Sequence, residues 1–371
     1  MKVGLLKRIV KAYSVIGQNF RIWFLTIPVA LYLIFVRTLN FIFMKLDWLL
    51  YPIKLKTKVK KPILIVGNPR SGTTFIHRYL SNQGLGVGSK LYQLIFTSVL
   101  LQKLIKPILP ILEKISPTKY HSSAAHKTSL GSIETDDASM LFRFFDGFFL
   151  YGFIMSWAKE DLFPWFDPKK RNNSNRDFKW FESMWARTLI STGNSRIIGK
   201  LFSISPNVPA FLNHFPDAKL LYMVRDPLSV IPSGLSLVTG VLDGWFGFWS
   251  LPEERRRHYI NRLYKALVEL QIRFHDDWVN NRIDKAKVGI VQYNRMMTDF
   301  DGLMDEILTF VEHERSPKLM EHIKETADKQ RAYKSNHKYD LSKFGITEEQ
   351  IKSDCAVIYE TFLSKTIHIG K

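Results

Sequence analysis

Residues 67–74, GNPRSGTT, contain the spaced glycines of a phosphate-binding loop but lack its lysine. Gly67 and Gly72 stand at the distance found in nucleoside-triphosphate loops, where a lysine and then a serine or threonine follow the second glycine. Thr73 occupies the position of that lysine. Hydroxyl and guanidinium donors fill the motif, from Arg70, Ser71, Thr73 and Thr74. With the amides of the turn and the N-terminus of a following helix, these donors predict a site for an anion other than a Mg²⁺-bound triphosphate.

A second candidate motif, RDPLSVIPS, lies at residues 225–233. Asp226 is a typical helix N-cap and Pro227 suits the first helical position, so the pattern predicts a helix that begins here. Arg225 then stands at the carboxyl end of the preceding apolar run, where ligands of open parallel sheets bind. Ser233 lies about two helical turns further on and can reach the same space. The alternative is a capped helix with an arginine that faces solvent.

Short apolar runs that alternate with amphipathic ones position these motifs. Buried parallel strands are predicted at residues 62–66, 196–199, 219–224 and 288–291. Helices are predicted at residues 73–80, 98–114 (interrupted by Pro107 and Pro110), 253–282, 297–313 and 347–363. This alternation predicts an α/β fold, a three-layer, P-loop-type open parallel sheet flanked by helices, with an apolar N-terminal helical extension. The expected division is an N-terminal segment, 1–60, and one domain, 61–371.

Together, the two motifs resemble the sulfotransferases that use 3′-phosphoadenosine-5′-phosphosulfate (PAPS). GNPRSGTT resembles their 5′-phosphosulfate loop, and the arginine and serine of 225–233 resemble their 3′-phosphate site at the family spacing. Three further segments are similar to parts of that domain: FPDAKLLYMVRDP (215–227), VQYNRMMTDF (291–300) and HKYDLSKFGI (337–346), the last typical of the broader, largely bacterial branch. The resemblance covers roughly residues 60–365, and it implies a PAPS-dependent sulfotransferase that needs no Walker lysine.

The resemblance also implies a role for each matching residue. Arg70 lies beside the transferring sulfuryl group and stabilises charge on the leaving phosphate oxygen. Residues 71–74, which are Ser71, Gly72, Thr73 and Thr74, hold the 5′-phosphate. Arg225 and Ser233 bind the 3′-phosphate, and Tyr293 lies near the adenine. Lys338 is a weaker candidate for phosphate contact, and Lys200 either faces the sulfate or is a solvated lysine.

A general base must accept the proton of the acceptor hydroxyl. The stretch HKTSLGSIETDD (126–137) resembles an acidic segment of the broader branch and offers four candidates: His126, Glu134, Asp136 and Asp137. The two aspartates precede an apolar helix and can simply complement its dipole. Glu134 is therefore the first candidate and His126 the second. The glutamate that some relatives carry after the phosphate loop has no counterpart in SNQGLGVGSKLYQ (81–93).

The N-terminal segment is apolar and basic. Residues 22–36 carry no charge, Arg37 follows, and lysines and arginines lie on both sides. This run is shorter than the roughly 20 residues of a spanning helix. It predicts a signal anchor, an interfacial helix pair or a hydrophobic lid, and its composition favours membrane association. The single cysteine, Cys355, excludes an intrachain disulfide and favours a reducing compartment, so the expected location is the cytoplasmic face of a membrane.

Composition narrows the partners. A formal net charge of +19 favours anionic ligands or lipid head groups. No zinc-finger spacing or nucleic-acid motif is recognisable, so nucleic acid is not expected as a partner. The sequence contains neither an HExxH motif nor a paired histidine spacing, so no metal site is predicted. The aromatic insert at 140–168 is either a large core or an apolar pocket, which with the N-terminal segment suggests a small-molecule or lipid acceptor.

Two other classes of function compete with this prediction. A small-molecule kinase would use the same kind of loop, but Thr73 in place of lysine opposes it. A non-catalytic, membrane-associated PAPS-binding protein would keep the fold without turnover. The intact set of loop and 3′-phosphate residues favours an enzyme over such a protein.

Overall fold

The computed structural model describes residues 3–115, 128–333 and 340–370. Four strands and eighteen α-helices, besides short 3₁₀ and π turns, are assigned in this part of the chain. In chain order they are α1 Leu5–Phe20, α2 Thr26–Leu50, α3 Pro52–Lys56, β1 Ile63–Gly67, α4 Thr73–Asn82, α5 Leu91–Ile95, α6 Val99–Ile105, α7 Leu109–Ile115, α8 Asp136–Phe142, α9 Phe148–Phe153, α10 Ser174–Thr192, β2 Ile198–Leu201, α11 Val208–His214, β3 Lys219–Val224, α12 Pro227–Phe246, α13 Glu253–Val279, β4 Val288–Gln292, α14 Tyr293–Thr298, α15 Phe300–Phe310, α16 Pro317–Ala332, α17 Glu348–Asp354 and α18 Ala356–Ile358. The chain has an α/β fold with a parallel four-stranded sheet flanked by helices, as the alternating sequence pattern predicts.

The first of two compact units consists of residues 1–60 and 86–200. Its core combines aliphatic and aromatic side chains, and α10 turns Phe178, Phe181 and Trp185 inward at helical spacing. Tyr151 and Trp157 of the aromatic insert are also buried in this unit. Much of that insert therefore serves as hydrophobic core.

The second unit consists of residues 61–85 and 201–371. Here β1, β3 and β4 lie side by side in parallel, with β3 in the middle. Ile63 is opposite Lys219, and Leu220 is opposite Val288. Every residue of β1 and β4 is buried, which explains their continuous apolar sequences. The carboxyl ends of these strands meet at one edge, where the two predicted motifs begin.

Three predicted helices are divided in the structure. The region 347–363 was expected to be one helix, but α17 ends at Asp354 and α18 begins at Ala356, with Cys355 between them. The region 98–114 forms α6, a 3₁₀ turn at Lys106–Ile108 and α7, which agrees with the expected interruption by prolines. The region 297–313 was expected to be one helix, but α14 begins earlier and ends before α15. Asp299, which separates them, has a non-helical backbone (φ −140°). The sequence prediction missed this break because it contains neither glycine nor proline.

Two helices of the described residues are long and apolar enough to cross a membrane. For α2 the most apolar 18-residue window has a mean hydropathy of 1.9 and is 11% buried. For α12 the corresponding values are 1.2 and 44%, as is common in core helices of soluble proteins. Length and composition alone are weak evidence for a membrane segment, and α2 extends well beyond the predicted run, through Arg37.

Candidate functional site

The phosphate-loop motif starts where β1 has no room for a side chain. Gly67 has a φ of +141°, and a Cβ atom there would lie 2.6 Å from the carbonyl oxygen of Met223. Met223 is its register partner on β3. Both the backbone conformation and this close approach therefore require glycine.

The second glycine brings the loop close to α14. Gly72 is the N-cap of α4 and has a φ of +89°. A Cβ atom there would lie 2.9 Å from Met296 Cε and 3.1 Å from Tyr293 Cδ2. The positive end of α4 is therefore positioned beside the Tyr293 ring, an arrangement suited to a phosphate attached to an aromatic base.

Arg70 combines an unusual backbone with an anchored side chain. Its φ is +77°, in the left-handed region that side-chain-bearing residues rarely adopt. Its Nε donates a hydrogen bond of 2.9 Å to Ser233 Oγ on α12. Ser233 itself is buried, whereas Arg70 is partly exposed. Such a strained backbone persists only where the surrounding structure maintains it, and the hydrogen bonds of Arg70 with Ser233 and Arg225 do so here.

Arg225 connects the two motifs. It follows β3 directly, and its Nη1 donates a hydrogen bond of 3.0 Å to the backbone oxygen of Arg70. Its guanidinium also lies over the Tyr293 ring, 4.0 Å from the centroid. The structure thus brings together Arg70, Arg225, Ser233 and Tyr293, which the sequence assigned to one nucleotide site. Two guanidinium groups, an aromatic ring and a helix N-terminus are groups whose chemistry suits an anionic aromatic ligand.

The helix that carries Ser233 is fixed at its N-terminus. Asp226 accepts a hydrogen bond of 2.9 Å from the Leu228 amide, which is the predicted cap. The hydroxyl of Tyr359 donates a second bond, 2.6 Å long, to the same carboxylate oxygen. Burial, and next the Asp226 carboxylate, raise the pKa of Tyr359, so the phenol keeps the proton that it donates. The C-terminal segment therefore holds the start of α12, which the sequence did not predict.

The remaining loop residues differ in exposure. Ser71 and Thr73 are buried and Thr74 is partly exposed. Asn68 is buried as well, and its Nδ2 donates a hydrogen bond of 2.8 Å to the Leu267 carbonyl oxygen of α13. This hydrogen bond fixes the loop to α13. The sequence analysis assigned no role to Asn68. Its position inside the motif could have indicated that it supports the loop.

Comparison with known proteins identifies the chain's relatives. A profile described as the sulfotransferase family matches residues 62–317, more than half of the chain. The chain belongs to the sulfotransferase family. None of the curated protein sequences matches this sulfotransferase significantly.

Two solved structures share the fold of this sulfotransferase. Sulfotransferase STF9 from Mycobacterium avium has a TM-score of 0.68 at 17% sequence identity, over 89% of this chain and 83% of its own. Sulfotransferase STF1 from Mycobacterium tuberculosis has a TM-score of 0.65 at 17% identity, over 95% of this chain and 91% of its own. These similarities show a common fold. Membership of the sulfotransferase family makes the chain a transferase.

The first general-base candidate lies in the first unit of the sulfotransferase. Glu134 is 8% exposed, and its Oε1 accepts a hydrogen bond of 2.8 Å from Ser132 Oγ. Its amide donates to the Ser89 carbonyl oxygen at 3.1 Å. The second candidate, His126, lies outside the described residues, as does Lys338. The roles of all three stay predictions.

Asp136 and Lys200 have surroundings that the sequence did not indicate. Asp136 is fully buried at the start of α8, where it accepts hydrogen bonds from Trp185 Nε1 (3.1 Å) and the Lys200 amide (2.9 Å). Burial raises its pKa to about 6, against the opposing effect of these hydrogen bonds. The Lys200 side chain is only 1% exposed, so the alternative of a solvated lysine is wrong. Asp136 therefore does more than complement a helix dipole.

In residues 3–115, 128–333 and 340–370, no group of three or more His, Cys, Asp or Glu side chains is arranged to hold a metal ion. The expectation that the sulfotransferase needs no metal stays a prediction.

Proposed function

We propose that this sulfotransferase transfers a sulfuryl group from PAPS to a hydroxyl or amine of its acceptor and releases 3′-phosphoadenosine-5′-phosphate (PAP). The observation that carries this proposal is the meeting of Arg70, Arg225, Ser233 and Tyr293 at the edge of the sheet. Their contacts connect the phosphate loop after β1 with the carboxyl end of the neighbouring strand β3. A ligand with one aromatic base and two separate phosphates fits this set.

The 3′-phosphate distinguishes PAPS from ATP. In the proposal, Arg225 and Ser233 bind this phosphate, because a guanidinium and a hydroxyl both donate to phosphate oxygens. Loop amides and the N-terminus of α4 bind the 5′-phosphate. Thr73 in the lysine position leaves the loop without the residue that reaches the β- and γ-phosphates of a nucleoside triphosphate. The residues present therefore suit PAPS better than ATP.

The chemistry is an in-line displacement at sulfur. The acceptor oxygen forms a bond to sulfur while the bond from sulfur to the 5′-phosphate oxygen breaks, and that oxygen keeps the electron pair. In the proposal, Arg70 stabilises the charge that builds there, since a preorganised cation contributes most where charge develops. The acceptor proton passes to a base, for which Glu134 is the first candidate and His126 the second.

We also propose a lipophilic acceptor, with a membrane-associated enzyme on the cytoplasmic face. The support is the apolar surface of the N-terminal segment, where Phe24, between α1 and α2, and Leu49, on α2, are mostly exposed. An alcohol dissolved in a bilayer would be concentrated near that surface. The aromatic insert adds less support than its sequence suggests, because Tyr151 and Trp157 are core residues.

The direct test is a product assay with the purified full chain. PAPS is supplied with long-chain alcohols or with soluble sugars, and PAP release and sulfated product are measured together. Equal amounts of PAP and sulfated alcohol are expected, without a requirement for Mg²⁺. Phosphorylation of the acceptor by ATP and Mg²⁺ would support the kinase instead. PAP binding without turnover on any acceptor would support a non-catalytic protein.

A further inference from the structure

The exposed apolar side chains are concentrated at the N-terminus. Of the 27 large hydrophobic residues that are exposed in the described chain, 19 lie between Leu5 and Ile53. Three of them, Phe24, Leu49 and Ile53, retain more than three quarters of their accessible surface. Exposed apolar surface on this scale marks an interaction site, because soluble monomers rarely leave it uncovered.

One side of α2 is packed against the first unit, and the other is not. Leu39 and Phe43 pack against a buried cluster that includes Leu101 and Ile105 of α6. These positions and the buried Val36, Asn40 and Asp47 recur at helical spacing on one side. The opposite side carries exposed residues, among them Leu31, Ile34, Phe35, Phe41, Ile42 and Leu49. We call that opposite side the outer face of α2.

Polar contacts fasten the inner side of α2. Asn40 donates through Nδ2 to the Ile95 carbonyl oxygen (2.8 Å) and accepts from the Thr97 amide at Oδ1 (2.7 Å). Asp47 is fully buried. Its carboxylate accepts four hydrogen bonds, from Ser98 Oγ (2.9 Å), the Val99 amide (2.9 Å), the Leu100 amide (3.1 Å) and Arg187 Nε (3.0 Å).

These contacts oppose a spanning orientation. Breaking a buried ion pair such as Asp47–Arg187 by removing one partner costs about 3–5 kcal/mol. A spanning α2 would also place Arg37, near the middle of the helix, deep in the hydrocarbon, at a cost of about 2.5–3.5 kcal/mol. With α2 packed as it is, Arg37 instead donates to the Phe142 carbonyl oxygen (3.2 Å). The inner side can therefore remain in the protein while the outer face meets an apolar phase.

The charges next to the outer face are positive. Residues 1–60 contain eleven lysines and arginines and one acidic residue, Asp47, which is paired with Arg187 in the interior. Lys45 on α2 and the alternating lysines at 54, 56, 58 and 60 are exposed. Each such cation contributes about 1 kcal/mol near an anionic lipid surface. A neutral apolar partner would gain nothing from this pattern.

We propose that the first unit docks on an anionic lipid bilayer through the outer face of α2, with α2 in the plane of one leaflet and not across it. Leu104, Ile108 and Ile111, exposed on and after the neighbouring α6, extend the docking surface. This docking extends the proposed function. It depends on that function in one respect only, namely that the bilayer contains the acceptor.

Vesicle binding tests the docking without any enzymatic readout. The full chain is sedimented with vesicles of phosphatidylcholine containing phosphatidylglycerol, and with vesicles of phosphatidylcholine alone. Strong binding to the anionic vesicles is expected, with at least a tenfold weaker partition for Leu31→Glu/Leu49→Glu, on the order expected for charges in the interface. The matched control, Val279→Glu, changes another exposed apolar residue, in the second unit, and should bind like the wild type. Equal binding to both lipids, or no effect of the double variant, overturns the proposal.

Labelling distinguishes an in-plane helix from a spanning one. Gly4→Cys and Thr57→Cys place thiols before α1 and after α3, while the native Cys355 is buried. Both new thiols should react with a membrane-impermeant maleimide added outside the vesicles. Protection of one of them would mean that α2 spans the bilayer.

Two controls keep the outcome clear. Circular dichroism and thermal melting check that the variants fold. If Leu31→Glu/Leu49→Glu does not fold, Ile34→Glu/Ile53→Glu replaces it as a second pair of exposed positions. A concentration-dependent dimer that the double variant abolishes would assign the outer face to a second copy and overturn the proposal. Because PAP binding is measured separately in solution, loss of vesicle binding with intact PAP binding refutes only the docking.

Discussion

Replacing Arg70 by alanine and by glycine separates its chemical role from the strain of its backbone. The left-handed conformation, with φ at +77°, costs a side-chain-bearing residue about 1–2 kcal/mol. Glycine avoids that cost but loses about 0.5–1 kcal/mol more backbone entropy on folding than alanine. Both variants lose the hydrogen bond to Ser233, so this loss cancels between them. We therefore expect Arg70→Gly to be more stable than Arg70→Ala, by a difference of about 0–1.5 kcal/mol centred near ~0.8 kcal/mol.

Activity should change in a different way from stability. Without the guanidinium, kcat for sulfuryl transfer should fall about 100- to 1000-fold in both variants, the usual effect of removing one donor from a developing charge. Arg70→Lys keeps the positive charge but lacks the planar guanidinium group. Its kcat should lie between that of the alanine and glycine variants and that of the wild type. Urea unfolding and PAP release measure the two properties. A glycine variant that is less stable than the alanine variant would refute the left-handed backbone, and unchanged kcat would refute the role of Arg70.

Three further predictions concern the fold and the site. Gly67→Ala should cost more than about 2 kcal/mol of unfolding free energy in urea, because its Cβ would lie 2.6 Å from a carbonyl oxygen of β3. Gly84→Ala, at φ +82° with no atom within 4 Å, is the matched control and should cost only the backbone strain, about 1 kcal/mol. Arg225→Ala should weaken PAP binding about 10- to 100-fold in calorimetry and affect AMP much less, whereas the exposed Arg315→Ala should change neither. Because the folded pKa of Asp136 is raised to about 6, its native carboxyl keeps a proton that the unfolded chain releases near pH 3.8, so stability should fall as pH rises through that window. Asp136→Asn should flatten that slope in urea unfolding between pH 4 and 6, and an unchanged slope would mean that another group titrates.

The sequence predicted the parts of the fold that depend on local pattern. The strands β1, β3 and β4 contain apolar runs, which the sequence shows directly. The two glycines of the loop have the spacing of a phosphate-binding turn. Asp226 and Pro227 predicted the start of α12 for the same reason, since capping is a local interaction. Arg70, Arg225 and Ser233 could be assigned to one site because parallel strand ends share one edge.

Other features depend on contacts between distant residues and leave little trace in the local pattern. Asp47 is buried because it pairs with Arg187, which lies 140 residues further along the chain. The local sequence of α2 does not show this partner, and the segment therefore resembled an apolar run interrupted only by charged residues. Tyr359 reaches Asp226 across 133 residues. The apolar composition of the insert did not reveal which aromatic side chains form core, because both a core and a pocket use the same residues.

Calorimetric titration of the wild-type protein with PAP, ATP and AMP tests the central claim most directly. PAP carries both phosphates and the base that the contacts of Arg70, Arg225, Ser233 and Tyr293 suit, so it should bind much more tightly than either other nucleotide. ATP that binds as tightly as PAP or more tightly would contradict the assignment and make residues 67–74 a phosphoryl-transfer loop.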